Sequence, residues 1–80
     1  MSAIAFPAYD FYDTEKDWVI AMNSVLALEL GVIVPVTEDV KIWANKVEAV
    51  LESANFAIPS FIGDIHSWAN DLIVALEEQT

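Results

Sequence analysis

The chain has 80 residues, of which 13 are acidic and three are Lys, and its net charge is −10. This length allows one small domain. Without Cys the chain can form no disulfide and no Cys-ligated zinc or iron–sulfur site. Without Arg, and at this charge, it is a poor ligand for nucleic acid, because cations on phosphates supply most of that affinity. Hydrophobic residues make up 56% of the chain, which argues against disorder.

The sequence predicts no secretory signal and no membrane span. The N-terminal residues lack a basic region and reach Asp10 early, unlike a signal peptide. A transmembrane helix needs about 18 apolar residues, whereas the longest uncharged interior stretches, residues 18–28 and 53–63, have 11 each. We therefore expect a protein that spans no membrane and is not secreted by a signal peptide, with the cytoplasm or a virion as its location.

Three tryptophans mark an internal repeat. Trp18, Trp43 and Trp68 follow one another at intervals of 25 residues. The positions four, seven and eight residues after each Trp are apolar in all three copies, which indicates repeated structure. In copy order they are Met22, Val25 and Leu26, then Val47, Val50 and Leu51, then Leu72, Ala75 and Leu76.

Apolar residues around each Trp recur in steps of three and four, which is the period of an amphipathic helix. We predict an all-α fold, a small three-helix bundle or short helical stack. An apolar N-terminal arm, residues 1–13, precedes a domain of residues 14–80 with helices at about 14–30, 37–54 and 60–78. The predicted core consists of Trp18, Met22, Leu26, Val40, Trp43, Val47, Leu51, Ile65, Trp68, Leu72 and Leu76.

Local chemistry suggests where these helices begin and end. Thr14 and Thr37 can cap the first two helices, and Pro59-Ser60 can open the third. Gly31 and Asn55 are plausible ends for the first and second helices.

Apolar residues also occupy the arm and the connections, where an independent domain is normally polar. The first helix is itself apolar on nearly every side. Either these segments fold back over the first helix and complete its core, or they contact other chains. We favour the second interpretation, since exposed apolar patches mark association sites. The predicted interface residues are Phe6, Tyr9, Phe11, Tyr12, Val32, Ile33, Phe56 and Ile58.

No pattern in the chain indicates catalysis. Asp64, His66 and Ser67 contain the three side chains of a hydrolase triad, but residues one and two apart on a helix do not face each other. His66 is expected at the surface. Asp10 and Asp13 lack the further ligands and the Gly of a calcium loop. We predict no catalytic residue, no cofactor and no metal.

These observations favour a non-enzymatic structural protein that packs as a homo-oligomer or within a larger multi-chain particle. A small, acidic, Cys-free subunit of this kind would suit a minor virion component of a tailed phage. There are two alternatives. One is an acidic inhibitor that mimics nucleic acid, and the other is a helical adaptor that binds a host protein by holding one of its helices in an apolar groove.

Overall fold

The computed structural model describes residues 4–37 and 39–80, and over these residues the chain is helical without a strand. A 3-10 turn at Tyr9–Phe11 precedes α1 (Glu15–Leu30), α2 (Val40–Ser53) and α3 (Ile65–Gln79). The described residues pack within 27 × 24 × 21 Å. The predicted all-α, three-helix architecture is confirmed. The third helix begins five positions later than the sequence indicated.

The 25-residue repeat is a repeat of buried positions. Each helix buries its Trp and the residues one, four and eight positions after it, and these twelve residues form most of one continuous core. Of the predicted core, only Val40 and Ile65 remain half-buried, packed against its edge. The buried positions are Trp18, Val19, Met22 and Leu26 on α1, Trp43, Ala44, Val47 and Leu51 on α2, and Trp68, Ala69, Leu72 and Leu76 on α3.

The helix starts follow the same interval. Thr14, Asp39 and Asp64 each stand four residues before a Trp, and each side chain accepts a hydrogen bond from a backbone N–H of the first turn. These contacts satisfy amide groups that have no partner within the helix. Thr37 is therefore not the cap that the sequence suggested, and α3 does not open at Pro59-Ser60. Thr37 instead donates its hydroxyl to the carbonyl of Asp39, and residue 38 lies outside the described residues.

The ends of the first two helices agree with the prediction. Gly31 has a φ of 67° and closes α1, while Asn55 has a φ of 71° and follows Ala54, the C-cap of α2. Gly and Asn are the residues that adopt this left-handed conformation most readily.

The three indole rings meet at the centre of the molecule. The Trp18 and Trp43 ring centroids lie 5.5 Å apart, and those of Trp43 and Trp68 lie 6.1 Å apart, both in edge-to-face geometry. Tyr9 continues this column beyond Trp18, and Phe61 continues it beyond Trp68. The repeat therefore builds a single aromatic column that crosses all three helices and ends on the two segments that precede α1 and α3.

Candidate functional site

The described part of the N-terminal arm is attached to the bundle. The indole N–H of Trp18 donates to the carbonyl of Pro7 at 2.9 Å, and Tyr9 packs edge-to-face on the same indole. The equivalent indole of Trp68 donates to the carbonyl of Pro59 at 2.8 Å. A buried indole N–H needs an acceptor, so these bonds hold the segments before α1 and α3 against the core.

The segment before α2 is held through an intermediary. Asn23 of α1 accepts a hydrogen bond from the Trp43 indole N–H and donates one to the carbonyl of Val34, both at 2.9 Å. The segment after α1 therefore runs back beside this helix. Val32 and Val34 are buried, while Ile33 between them points to the surface.

These contacts divide the predicted interface residues into two groups. Val32 is 7% exposed and belongs to the core, so little of its side chain is available to another chain. Phe11 is 86% exposed, and Ile33 is also exposed. The others are half-buried and pack against the core, as in the fold-back alternative: Phe6, Tyr9, Tyr12, Phe56 and Ile58.

A larger apolar surface lies on α1 itself. Ile20, Ser24, Ala27 and Leu28 are exposed on the side of α1 away from the buried stripe, and Leu28 is 83% exposed. We call these four residues the outer α1 face. The sequence shows that this helix is apolar on nearly every side, but the predicted interface residues all lie in the arm and the connections.

The outer α1 face differs from the outer faces of the other helices in carrying no charge. Between Asp17 and Glu29 the helix has no ionisable residue. The exposed side of α2 includes Lys41, Lys46 and Glu52. That of α3 is acidic, as its exposed residues Asp71, Glu77 and Glu78 show. The outer α1 face is therefore an uncharged helical surface, bordered by Asp17 and Glu29, on a strongly acidic protein.

His66 takes part in a polar contact that sequence spacing could not indicate. Its Nε2 lies 2.9 Å from Oδ1 of Asp10 in the 3-10 turn, and its ring stacks on Tyr9 with centroids 5.3 Å apart. Ser67 instead donates its hydroxyl to Asp64 at 2.9 Å. His66 is exposed, as predicted, and its partner is neither Ser67 nor Asp64, so the three side chains do not form a triad.

Two ionisable groups around this contact have perturbed pKa values. The hydroxyl of Ser67 and the amide of His66 donate to the Asp64 carboxylate and hold its pKa below the usual 3.8. Burial against the core, together with the charge of Glu15, raises the pKa of Tyr9 above its usual 10.0. Asp64 therefore stays ionised and Tyr9 stays neutral near neutral pH.

Over the described residues 4–37 and 39–80, no group of three or more His, Cys, Asp and Glu side chains could hold a metal ion. In the same part of the chain no helix has both the length and the hydrophobicity needed to cross a bilayer. Comparisons of the chain with protein families, with curated proteins and with solved structures find no match.

Proposed function

We propose that this chain is a non-enzymatic structural subunit, and that a second copy of the chain docks on the outer α1 face. The observation that carries the proposal is the exposure of Leu28 and Ile20 on a helical face without charge. Exposed apolar surface of this kind favours association, because contact with another apolar surface removes it from water.

Charge selects the place where two copies can meet. Each copy carries −10, so acidic surfaces of two copies repel each other. A contact centred on α1 keeps the carboxylates of α3 at the periphery, where water and salt screen them. The uncharged face is thus the one on which burial is least opposed by electrostatics.

The outer α1 face can also be buried without leaving a polar group unsatisfied. The Ser24 hydroxyl donates to the carbonyl of Ile20 at 3.1 Å within the helix, as Ser does in helix interiors. Ser24 and Ala27 are small, so a second α1 can approach closely while Ile20 and Leu28 pack beside it. The face therefore suits a helix-to-helix contact between copies.

The wider setting belongs to the same proposal. A subunit that also exposes Phe11 and Ile33 has further apolar contacts through which a dimer can extend into a larger multi-chain particle. The virion of a tailed phage is the particle that the small size, the acidity and the lack of Cys favour, and the cytoplasm of the infected cell would be the site of its assembly.

Light scattering after size exclusion tests the docking surface. Leu28→Glu places a charge on the outer α1 face, at its most exposed large side chain, and is expected to reduce the measured mass to that of a monomer. Ile62→Glu is the matched control, because Ile62 is 91% exposed and lies outside α1. The control should associate like the unchanged chain. Equal masses for both variants and the unchanged chain would contradict this choice of surface.

A further inference from the structure

A groove runs along α3, and none of the residues that line it belongs to the outer α1 face. One cavity, of about 420 Å³, lies between Ile58-Pro59 and the C-terminal half of α3. A second, of about 260 Å³, lies between Ile62 and the N-terminal half of α3. Asp71 lines both cavities, so they adjoin. We call the two together the α3 groove.

The wall of the α3 groove opposite the helix is fixed at several points. The side-chain amide of Gln79 exchanges two hydrogen bonds with the backbone of Ala57, at 2.7 and 2.8 Å. The indole N–H of Trp68 donates a hydrogen bond to the carbonyl of Pro59 at 2.8 Å. Because both ends of the α3 helix anchor the wall, the groove exists before any ligand arrives, and binding does not have to order it.

Carboxylates line the groove at a regular interval. Asp64, Asp71 and Glu78 follow one another at steps of seven residues and all line the groove. Residues seven apart on a helix lie on nearly the same side and are separated by about 10.5 Å along the axis. The groove therefore presents three negative charges in a row. Asp64, with its lowered pKa, is held in place by Ser67.

Between these charges the groove is apolar and open to solvent. Ile62 stands almost fully exposed at one end, and Val74 is more than half exposed near the other. Pro59 and Ala75 complete the apolar lining near Val74. An apolar floor with acidic residues along it is complementary to an amphipathic segment with basic residues beside its apolar face.

We propose that the α3 groove docks a cationic amphipathic helix from another protein, with Lys or Arg at intervals of seven residues. A helix is favoured as the occupant because its own seven-residue spacing matches that of the three carboxylates. This chain cannot supply the segment itself. Its three cations, Lys16, Lys41 and Lys46, do not stand seven apart. The proposal concerns a surface separate from the outer α1 face and does not depend on assembly of the chain.

A synthetic peptide tests the proposal directly. The probe is a fluorescently labelled, capped 18-residue helix of Ala and Leu, with Lys at three positions seven apart and Leu on the adjacent face. The comparison peptide has the same composition with Lys distributed around the helix. Fluorescence anisotropy should show binding of the first peptide at least tenfold tighter than that of the second, and weaker binding as salt rises, because salt screens the charge pairs.

Charge reversal locates the site. Asp71→Lys, at the centre of the groove, should weaken binding of the ordered peptide at least tenfold. Glu52→Lys, on the exposed side of α2, changes the net charge equally and should leave binding nearly unchanged. Circular dichroism establishes that both variants fold. The same measurements on Leu28→Glu keep failure of docking separate from failure of assembly.

Three outcomes would overturn the proposal. Equal losses for Asp71→Lys and Glu52→Lys would show attraction to the overall charge and not to the groove. Binding that does not respond to salt would identify the occupant as an uncharged apolar segment. A change of oligomeric state in Asp71→Lys alone would assign the groove to a second copy of the chain.

Discussion

His66 of α3 and Asp10 of the N-terminal arm lie 2.9 Å apart, from Nε2 to Oδ1, and both side chains are exposed. Tyr9, beside Asp10, stacks on the same imidazole. This pair joins the arm to the last helix of the bundle, so α3 has a direct part in holding the arm.

The contact between His66 and Asp10 should contribute little to stability. Both side chains are exposed, and pairs at exposed positions usually contribute less than about 1 kcal/mol. Asp10→Asn should therefore lower the free energy of unfolding in urea by under about 1 kcal/mol. Asp13→Asn, in the same arm, controls for the loss of one charge. Equal losses for the two variants would mean that the contact with His66 does not stabilise the chain.

Leu26 and Leu28 provide a matched test of which side of α1 faces the core. Leu26 is fully buried and Leu28 is exposed. Leu26→Ala should lower the free energy of unfolding by about 2–5 kcal/mol, since it leaves a cavity. Leu28→Ala should change the stability of the monomer by less than about 0.5 kcal/mol. Urea denaturation of both variants, at protein concentrations low enough for the chain to be monomeric, measures the difference. Similar losses for the two would mean that the helix is rotated from the orientation described above.

Asn23 should matter more to stability than an exposed Asn does. It accepts from the Trp43 indole and donates to the carbonyl of Val34, and its removal leaves two partly buried groups without their partner. Asn23→Ala should destabilise the fold by about 1–3 kcal/mol. Asn45→Ala, at an exposed position of α2, corrects for the better helix propensity of Ala. If the two variants unfold at the same urea concentration, the bridge contributes nothing to stability.

Asp64 should contribute stability that disappears in acid. Its pKa in the folded chain is below 3.8 because Ser67 and the amide of His66 donate to the carboxylate. The unfolded chain therefore binds this proton more readily, and the contribution is complete above the unfolded pKa and is lost as pH falls through the folded one. Asp64→Asn retains a capping oxygen but does not titrate. The stability advantage of the unchanged chain over this variant should shrink between about pH 6 and pH 2.

Thermal unfolding at several pH values measures that difference, with Asp71→Asn as the control for one carboxylate lost from the same helix. A constant advantage of the unchanged chain over Asp64→Asn across the acid range would show that the folded chain does not favour the ionised form of Asp64.

The Trp interval and the helical period were enough to predict the three helices and their core. The helix starts were predicted less well, because Thr37 and Pro59-Ser60 favour a helix start by local chemistry alone. The interval of 25 that relates Thr14 to Asp39 and Asp64 was the signal that could have identified the true caps. Each helix is therefore capped four residues before its buried Trp, even where another nearby residue has a good local preference for capping.

The surfaces were harder to predict than the core. The sequence shows that α1 is apolar on nearly every side, but which side stays exposed depends on how the helices cross. The contact of His66 with Asp10 and the alignment of the α3 groove with residues 57–59 depend on tertiary packing in the same way. The indole N–H groups of Trp18 and Trp68 donate to the carbonyls of Pro7 and Pro59. These bonds hold against the core two segments that, from the sequence, we expect to contact other chains.

Sedimentation velocity of the unchanged chain over a concentration series, at low salt and at about 1 M salt, tests the central claim most directly. Association through an uncharged face of a protein with a charge of −10 should strengthen as salt rises, because at 1 M the screening length falls to about 3 Å and repulsion between copies is removed. We predict an oligomer of defined mass. Its fraction should increase with protein concentration, and it should persist at high salt. A monomer at every concentration and salt would contradict self-assembly through the outer α1 face.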